Sequence, residues 1–427
     1  MLAFTRTLTS TPMRRLMTLS FIFVLIWRVL LEITNQIVSR TTKVVPYYPS
    51  WLKWVDIPAN SPAYGLGHWA HWDGYHFLSI VLHGYHQVGP NSLPVEAAFF
   101  PVFPALVRVP SRILHVNPVI VGLFVNFVLS VVIAIAVYKL ALLMCERYLP
   151  TKLQKHLDKG HLARLSILVV FVYPSSFFFA SFYADALVAA GATLALYFTL
   201  RERYLFAAAS SFVVMGSKTT GLVLIPTLLM ILLENDDIPL KITSWPLLLS
   251  RRLLGKAIVL TSGIVIALAG YMAYLQHAFG NPLEFSTVES VWGRQNSIFF
   301  LRRIYHNYYA QLIHPEHFGN TYQYITIVFV MALPFATIWL SIWYAKKFKT
   351  YWLPVMTVLT MILPLLSGLM ESLNRYTLIL TPLAIALATL LMVSKIHRYI
   401  VWGILLVSAG LLFYFAGGFL NGNYFAG

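Results

Sequence analysis

This sequence predicts an all-α integral membrane protein with about eleven transmembrane helices, and three observations lead to that reading. Of 427 residues, 59% are hydrophobic and only 11% are charged, with mean hydropathy +0.72. A water-soluble chain carries roughly a quarter charged residues. Apolar runs of about 18 to 25 residues recur along the chain, each long enough to cross a hydrocarbon core of roughly 30 Å. Lys and Arg cluster at every second run end, the bias expected of cytoplasmic loops.

Taken in order, the first run covers about 16–38. It is too long for the apolar region of a cleavable signal and lacks a small-residue cleavage site, so it reads as a retained signal anchor. Arg6, Arg14 and Arg15 precede it and place the N-terminus in the cytoplasm. A run at about 118–144 leads to Arg147, Lys152, Lys155, Lys159 and Arg164. Runs at about 162–181 and 184–200 lead to Arg201 and Arg203, and runs at 204–217 and 219–234 lead to Arg251, Arg252 and Lys256. Next come 255–278 and 322–345, followed by Lys346, Lys347 and Lys349. Finally 351–369 and 375–393 lead to Lys395 and Arg398, and 398–420 ends outside.

Simple alternation puts all these clusters in the cytoplasm on one condition: the apolar stretch at about 97–114 must not cross. Pro101, Pro104, Pro110, Arg108 and Arg112 within it agree with an interfacial or re-entrant helix pair. External segments are then a first loop at about 39–117, a second at about 279–321, and the turns at 183–185, 217–219 and 370–375. No repeat, low-complexity tract or soluble domain interrupts the pattern, so residues 1–427 form a single membrane domain. Cys145 is the lone cysteine, so no intrachain disulfide forms. The net charge of +16 is met in part by cytoplasmic Lys and Arg against anionic lipid, and no nucleic-acid partner is implied.

Polar residues concentrate in the first external loop, at 68–104. There His68, His71, His76, His83 and His86 accompany Asp73 and Glu96 among aromatic side chains. His76 and His83 are two helical turns apart, but no second carboxylate joins Asp73 in an Asp-x-Asp pattern, so no metal site is expected. Asp73 has two readings: a catalytic carboxylate, or the cap of a helix starting near Gly74. Asp185 either contacts substrate or caps the helix it opens, and Lys218 either contacts substrate or snorkels to the interface. External Lys218, Arg294, Arg302, Arg303 and Arg375 suit an anionic, phosphate-bearing substrate. Trp72, Tyr75, Phe77 and Tyr85 are either sugar-stacking surfaces or members of the interfacial aromatic belt.

The segment HWDGYHFLSIVLHGY, with Glu96 and the following AAFFPVFP, resembles the first luminal loop of the PIG-V family. Trp72-Asp73, His76-Phe77, Gly84-Tyr85 and Phe99-Phe100-Pro101 with Pro104 stand at the family's pattern positions. Weaker matches run further. PSSFFFASFYADAL at 174–187 is similar to an aromatic run ending in Tyr-x-Glu, with Asp185 in place of Glu. Lys218 stands where the family more often has Arg, the loop at 280–295 ends in Arg294 and Gln295, and Arg375-Tyr376 matches an Arg-Tyr entering a late helix.

That resemblance implies a polytopic GT-C type glycosyltransferase, as in GPI-anchor biosynthesis and its prokaryotic relatives; the compact loops favour a prokaryotic homologue. It implies a polyprenyl (dolichyl) phosphate mannose donor and a glycolipid or glycan acceptor, used at the non-cytoplasmic face of a bacterial plasma membrane or the endoplasmic reticulum. No cofactor is implied, and a small membrane partner subunit stays open. The leaving group is already a phosphate anion, so one base on the attacking hydroxyl suffices. Asp73 is that base, in an inverting displacement. Trp72, His76, Tyr85, Glu96, Asp185, Lys218, Arg294 and Arg375 are the expected substrate-binding residues. The competing reading is a non-enzymatic polyprenyl-phosphate-binding protein or a transporter. Nearly charge-free spans disfavour transport.

Overall fold

The computed structural model describes residues 11–41, 64–87, 92–238, 250–294, 299–306, 321–367, 370, 372–394 and 398–422. Arg6, Lys395 and Gln295, together with parts of both predicted external loops, lie outside the described residues. Every described element is helical.

The main helices are α1 (Thr11–Thr41), α2 (Asp73–His83), α3 (Val102–Leu114), α4 (Pro118–Tyr148), α5 (Lys159–Val172), α6 (Asp185–Leu200) and α7 (Tyr204–Met215). They continue with α8 (Leu224–Asn235), α9 (Arg251–Phe279), α10 (Thr321–Phe348), α11 (Trp352–Leu365), α12 (Thr381–Val393) and α13 (Arg398–Leu420). Local chemistry sets several starts. The Asn117 side chain accepts from the Val119 amide at 2.9 Å ahead of Pro118, and Asp158 accepts from His161 at 2.9 Å at the head of α5. Ser250 does the same for α9.

Among the described residues five helices, α1, α4, α9, α10 and α13, are long and apolar enough to cross a membrane, or six elements if one bent pair is counted. The predicted runs all hold helix, but two are interrupted, and the run at 219–234 begins as a 3-10 segment, Thr219–Val223, before α8. The run at 162–181 stops at Val172, because Pro174 forces Tyr173 into an extended conformation (ψ 133°), and a 3-10 turn at Ser176–Phe179 follows. The run at 375–393 is broken into a short segment, Leu373–Ile379, and α12, bent by 81°. The remaining apolar helices are short: α6, α7, α8 and α11 have 12 to 16 residues. At 1.5 Å per residue they reach about 18 to 24 Å.

The stretch at 97–114 yields α3, only 13 residues long. It buries Phe103, Pro104, Val107 and Ser111 and exposes Leu106, Val109, Ile113 and Leu114. Its first amide donates to Gly216 O at 2.9 Å. A Cβ on Gly216 would meet Val102 Cγ2 at 2.4 Å, so this docking requires glycine.

α4 packs against α1, α5 and α6, and α7 against α6 and α9. Phe171, Phe177, Phe178, Phe182 and Tyr183 are completely buried at the centre of the core. Phe182 sits so tightly on α4 that a Cβ on Gly122 would meet its ring at 2.2 Å. Polar side chains then collect at opposite ends of α8. At its C-terminal end, Glu234 accepts from Tyr148 (2.9 Å), Thr350 (3.0 Å) and the Tyr351 amide (3.0 Å). Before its N-terminal end lies Lys218, which belongs to the second collection.

Candidate active site

Asp73 is the first residue of α2, and the residue before it is strained. Trp72 has φ 58° and ψ −122°, a region non-glycine residues seldom occupy. Such strain costs roughly 1–3 kcal/mol and persists only where neighbours impose it. Tyr183 Oη donates to His71 O at 2.8 Å, and the Phe182 amide donates to Trp69 O at 2.8 Å. Both bonds tie the strained turn to the buried aromatic run.

Asp73 does not cap α2. Its carboxylate points across the bundle to Arg375, with Oδ2 2.6 Å from Nη2. Asp185 opens α6 without capping it either. Its Oδ1 accepts from Lys218 Nζ at 2.8 Å, and its Oδ2 lies 3.8 Å from Arg375 Nε. The result is a chain of alternating charge, Lys218, Asp185, Arg375, Asp73, drawn from four separate parts of the sequence. Lys218 Nζ also sits 4.5 Å over the Tyr376 ring, and the Arg375 guanidinium lies 5.2 Å from the Tyr183 ring.

The short segment before α12 aims Arg375. Ser372 takes a left-handed conformation (φ 64°), its carbonyl accepts from the Arg375 amide at 2.9 Å, and Thr377 is held by Tyr173 at 2.6 Å. Arg375 is 6% exposed, yet its Nε and Nη1 have no hydrogen-bond partner among the described residues. Buried donors left unmade cost about 1–3 kcal/mol each. Such an arrangement is ready for an incoming oxyanion.

The two carboxylates differ in access. The Asp73 side chain is 24% exposed and that of Asp185 is 5% exposed. Burial pushes the Asp73 carboxyl up, but Arg375, His76 and Arg294 outweigh it and hold the group below the usual aspartate value. Asp73 is therefore an anion throughout the physiological range. His76, stacked on Phe99 at 4.6 Å with Trp292 edge-on at 5.7 Å, is lowered by burial to about 4 despite the Asp73 charge, and is neutral there.

Arg294 joins from the second loop. Its Nη1 lies 3.2 Å from Tyr376 Oη and 3.3 Å from Glu289 Oε2. Burial raises Glu289 against the pull of Arg294. Tyr85 and Glu96 lie away from the ion pairs. Tyr85 donates to Phe99 O, and Glu96, 1% exposed, accepts from Ser79 at 2.8 Å. Trp72, half-buried, adjoins Asp73 in the chain. Among the described residues no three His, Cys, Asp or Glu side chains converge as metal ligands. Glu289 is a member that the sequence did not single out, and Tyr376 stood out there only as the neighbour of Arg375. Glu289 stands five residues before Arg294 in one loop, which was the available signal.

Among solved structures, Archaeoglobus fulgidus oligosaccharyltransferase tethered to an acceptor peptide is similar at TM-score 0.41 with 13% identity, over 95% of this chain and 55% of that one. Its apo form gives 0.41 and 13%, over 94% and 56%. Oligosaccharyltransferase AglB of the same organism, in complex with an inhibitory peptide and a dolichol-phosphate, gives 0.37 and 14%, over 94% and 56%. The chain spans about half the length of these structures, and likenesses this distant do not bear on the site. No curated protein matches the chain. A family model described as mannosyltransferase (PIG-V) matches residues 14–357, a stretch that contains Asp73, Asp185, Lys218 and Arg294 and ends before Arg375. That match covers well over half of the 427 residues, and the chain belongs to the PIG-V mannosyltransferase family.

Proposed function

We propose that the protein transfers mannose from a polyprenyl (dolichyl) phosphate mannose donor to a glycolipid or glycan acceptor, with inversion, and that Asp73 is the general base. One observation carries this reading: an ionised, partly open carboxylate stands 2.6 Å from a buried guanidinium whose Nε and Nη1 have no hydrogen-bond partner among the described residues. In the reaction the acceptor hydroxyl oxygen attacks the anomeric carbon, the bond from that carbon to the phosphate oxygen breaks, and the hydroxyl proton passes to Asp73. The leaving lipid phosphate is already an anion and needs no acid. Arg375 meets its charge through Nε and Nη1, Lys218 and Arg294 add positive potential, and Asp185 holds Lys218 and Arg375 in place. Neutral His76 and Trp292 provide an aromatic wall for the sugar.

Eleven crossings with the site on the non-cytoplasmic face complete the proposal. The Lys and Arg clusters near Arg147, Arg201, Arg251 and Lys346 stand at the helix ends remote from Asp73, which supports that orientation. The test uses purified protein in nanodiscs with polyprenyl-phosphate mannose and a panel of glycolipid and glycan acceptors. Transfer by wild type, lost in Asp73→Asn, is expected. Undiminished transfer by the variant overturns the base assignment, and no transfer by wild type to any acceptor overturns the reaction.

A further inference from the structure

α1 is an apolar helix that nevertheless carries Arg28 and Glu32 within its predicted span. Charges there are costly and call for a reason. Glu32 Oε2 accepts from Trp69 Nε1 at 2.9 Å, and Oε1 accepts from Asn35 Nδ2 at 2.9 Å. Arg28 Nη2 lies 3.6 Å from Glu32 Oε2, Nη1 donates to Ala180 O at 3.2 Å, and the guanidinium stacks 4.5 Å over the Trp69 ring. Trp69 is completely buried, and its carbonyl accepts from the Phe182 amide at 2.8 Å. One ion pair on the first helix thus grips two segments at once. The first leads within four residues to Asp73, and the second within five to Asp185.

We infer that Glu32 is a positioning residue for sugar transfer, acting through Trp69. Its carboxylate fixes the indole, and the fixed indole holds the turn whose strained Trp72 directs Asp73 at Arg375. The inference rests on the transferase reading above. A turn with positive φ at tryptophan relaxes once its upstream anchor is cut, because nothing in the residue itself favours that conformation. Glu32 touches neither Asp73 nor Arg375 among the described contacts, so its effect must travel through the Trp69 segment.

The test compares Glu32→Leu, Glu32→Gln and Trp69→Phe in full-length protein. Loss of the anchor by Leu or Phe is expected to lower kcat about 100-fold, the scale of a misplacement near 1 Å, with donor KM changed by less than about 2-fold. Glu32→Gln keeps an acceptor for the indole and is expected to retain most of kcat. The Leu and Phe losses are expected not to multiply in the double variant, since both cut one link. Hydrogen exchange at Gly74 and Tyr75, whose amides bond His71 O and Trp72 O at 3.1 and 2.9 Å, is expected to rise in both variants. Unchanged kcat and exchange, losses confined to KM, or losses that multiply would each overturn the inference. If wild type transfers no sugar, the transferase reading fails, and exchange at these two amides alone then decides whether Glu32 holds the turn. Trp69→Phe keeps the question answerable if Glu32→Leu does not fold.

Discussion

Two polar clusters stand at opposite ends of α8, and they differ in how fully their hydrogen bonds are spent. Around Glu234, the carboxylate accepts from Tyr148, Thr350 and the Tyr351 amide, and Trp352 Nε1 in turn donates to Tyr148 Oη at 3.0 Å. Each group faces a partner, and the cluster locks the ends of α4, α8 and α11 together. Around Arg375 the contact to Asp73 is as short, at 2.6 Å, yet Nε and Nη1 have no hydrogen-bond partner among the described residues and the Asp73 carboxylate stays partly open. A satisfied network rigidifies a fold. One that leaves buried donors without a partner among the described residues gives up stability, a cost that binding of the donor phosphate would offset under the proposed function.

The comparison breaks most visibly at Asp73. Asp73→Asn is expected to lower transfer about 1000-fold, within the span seen for general bases. Arg375→Lys keeps a charge but loses the fork, so transfer should drop about 100-fold with a raised donor KM. At the other end, Glu234→Ala should leave kcat at the wild-type level. It strands Tyr148, Thr350 and the Tyr351 amide, and should cost about 1–3 kcal/mol of stability, read as a lowered denaturation midpoint. A kcat loss in Glu234→Ala would erase the contrast between the two clusters.

The smallest effect is in pH. Asp73 is held below its usual value of 3.8, so the stability of its ion pair is present above that value and is lost only as pH falls through the lower folded value. The acid limb of transfer in wild type should therefore lie below the ordinary aspartate range. Replacing Arg375 with Gln removes the foremost charge that lowers Asp73, and burial should then move the limb upward. A limb unmoved in that variant would mean that Arg375 does not set the charge of Asp73.

Much of this was legible in residue types and spacing. Asp73 stood out as an acid in a conspicuous aromatic loop, and Asp185, Lys218, Arg294 and Arg375 as polar groups in external turns. Their pairing was not legible, because each contact spans from tens of residues to about three hundred and depends on how the helices pack. Pro174 and Pro382 were visible in the runs at 162–181 and 375–393, yet averaged hydropathy reads through a proline and hides the breaks. The same averaging hides Arg28 and Glu32 within a long apolar run. Neither the strain at Trp72 nor the spent hydroxyl of Tyr85 leaves a mark in composition. Both are products of tertiary contact.

α3 has a consequence of its own. It is 13 residues long, and its outward face of Leu106, Val109, Ile113 and Leu114 is apolar and exposed. α2 rides on it through Phe77 and Phe103, whose rings meet edge to face at 5.3 Å. The helix that opens with Asp73 is thus braced, through two rings, by an element whose other face lies outside the core.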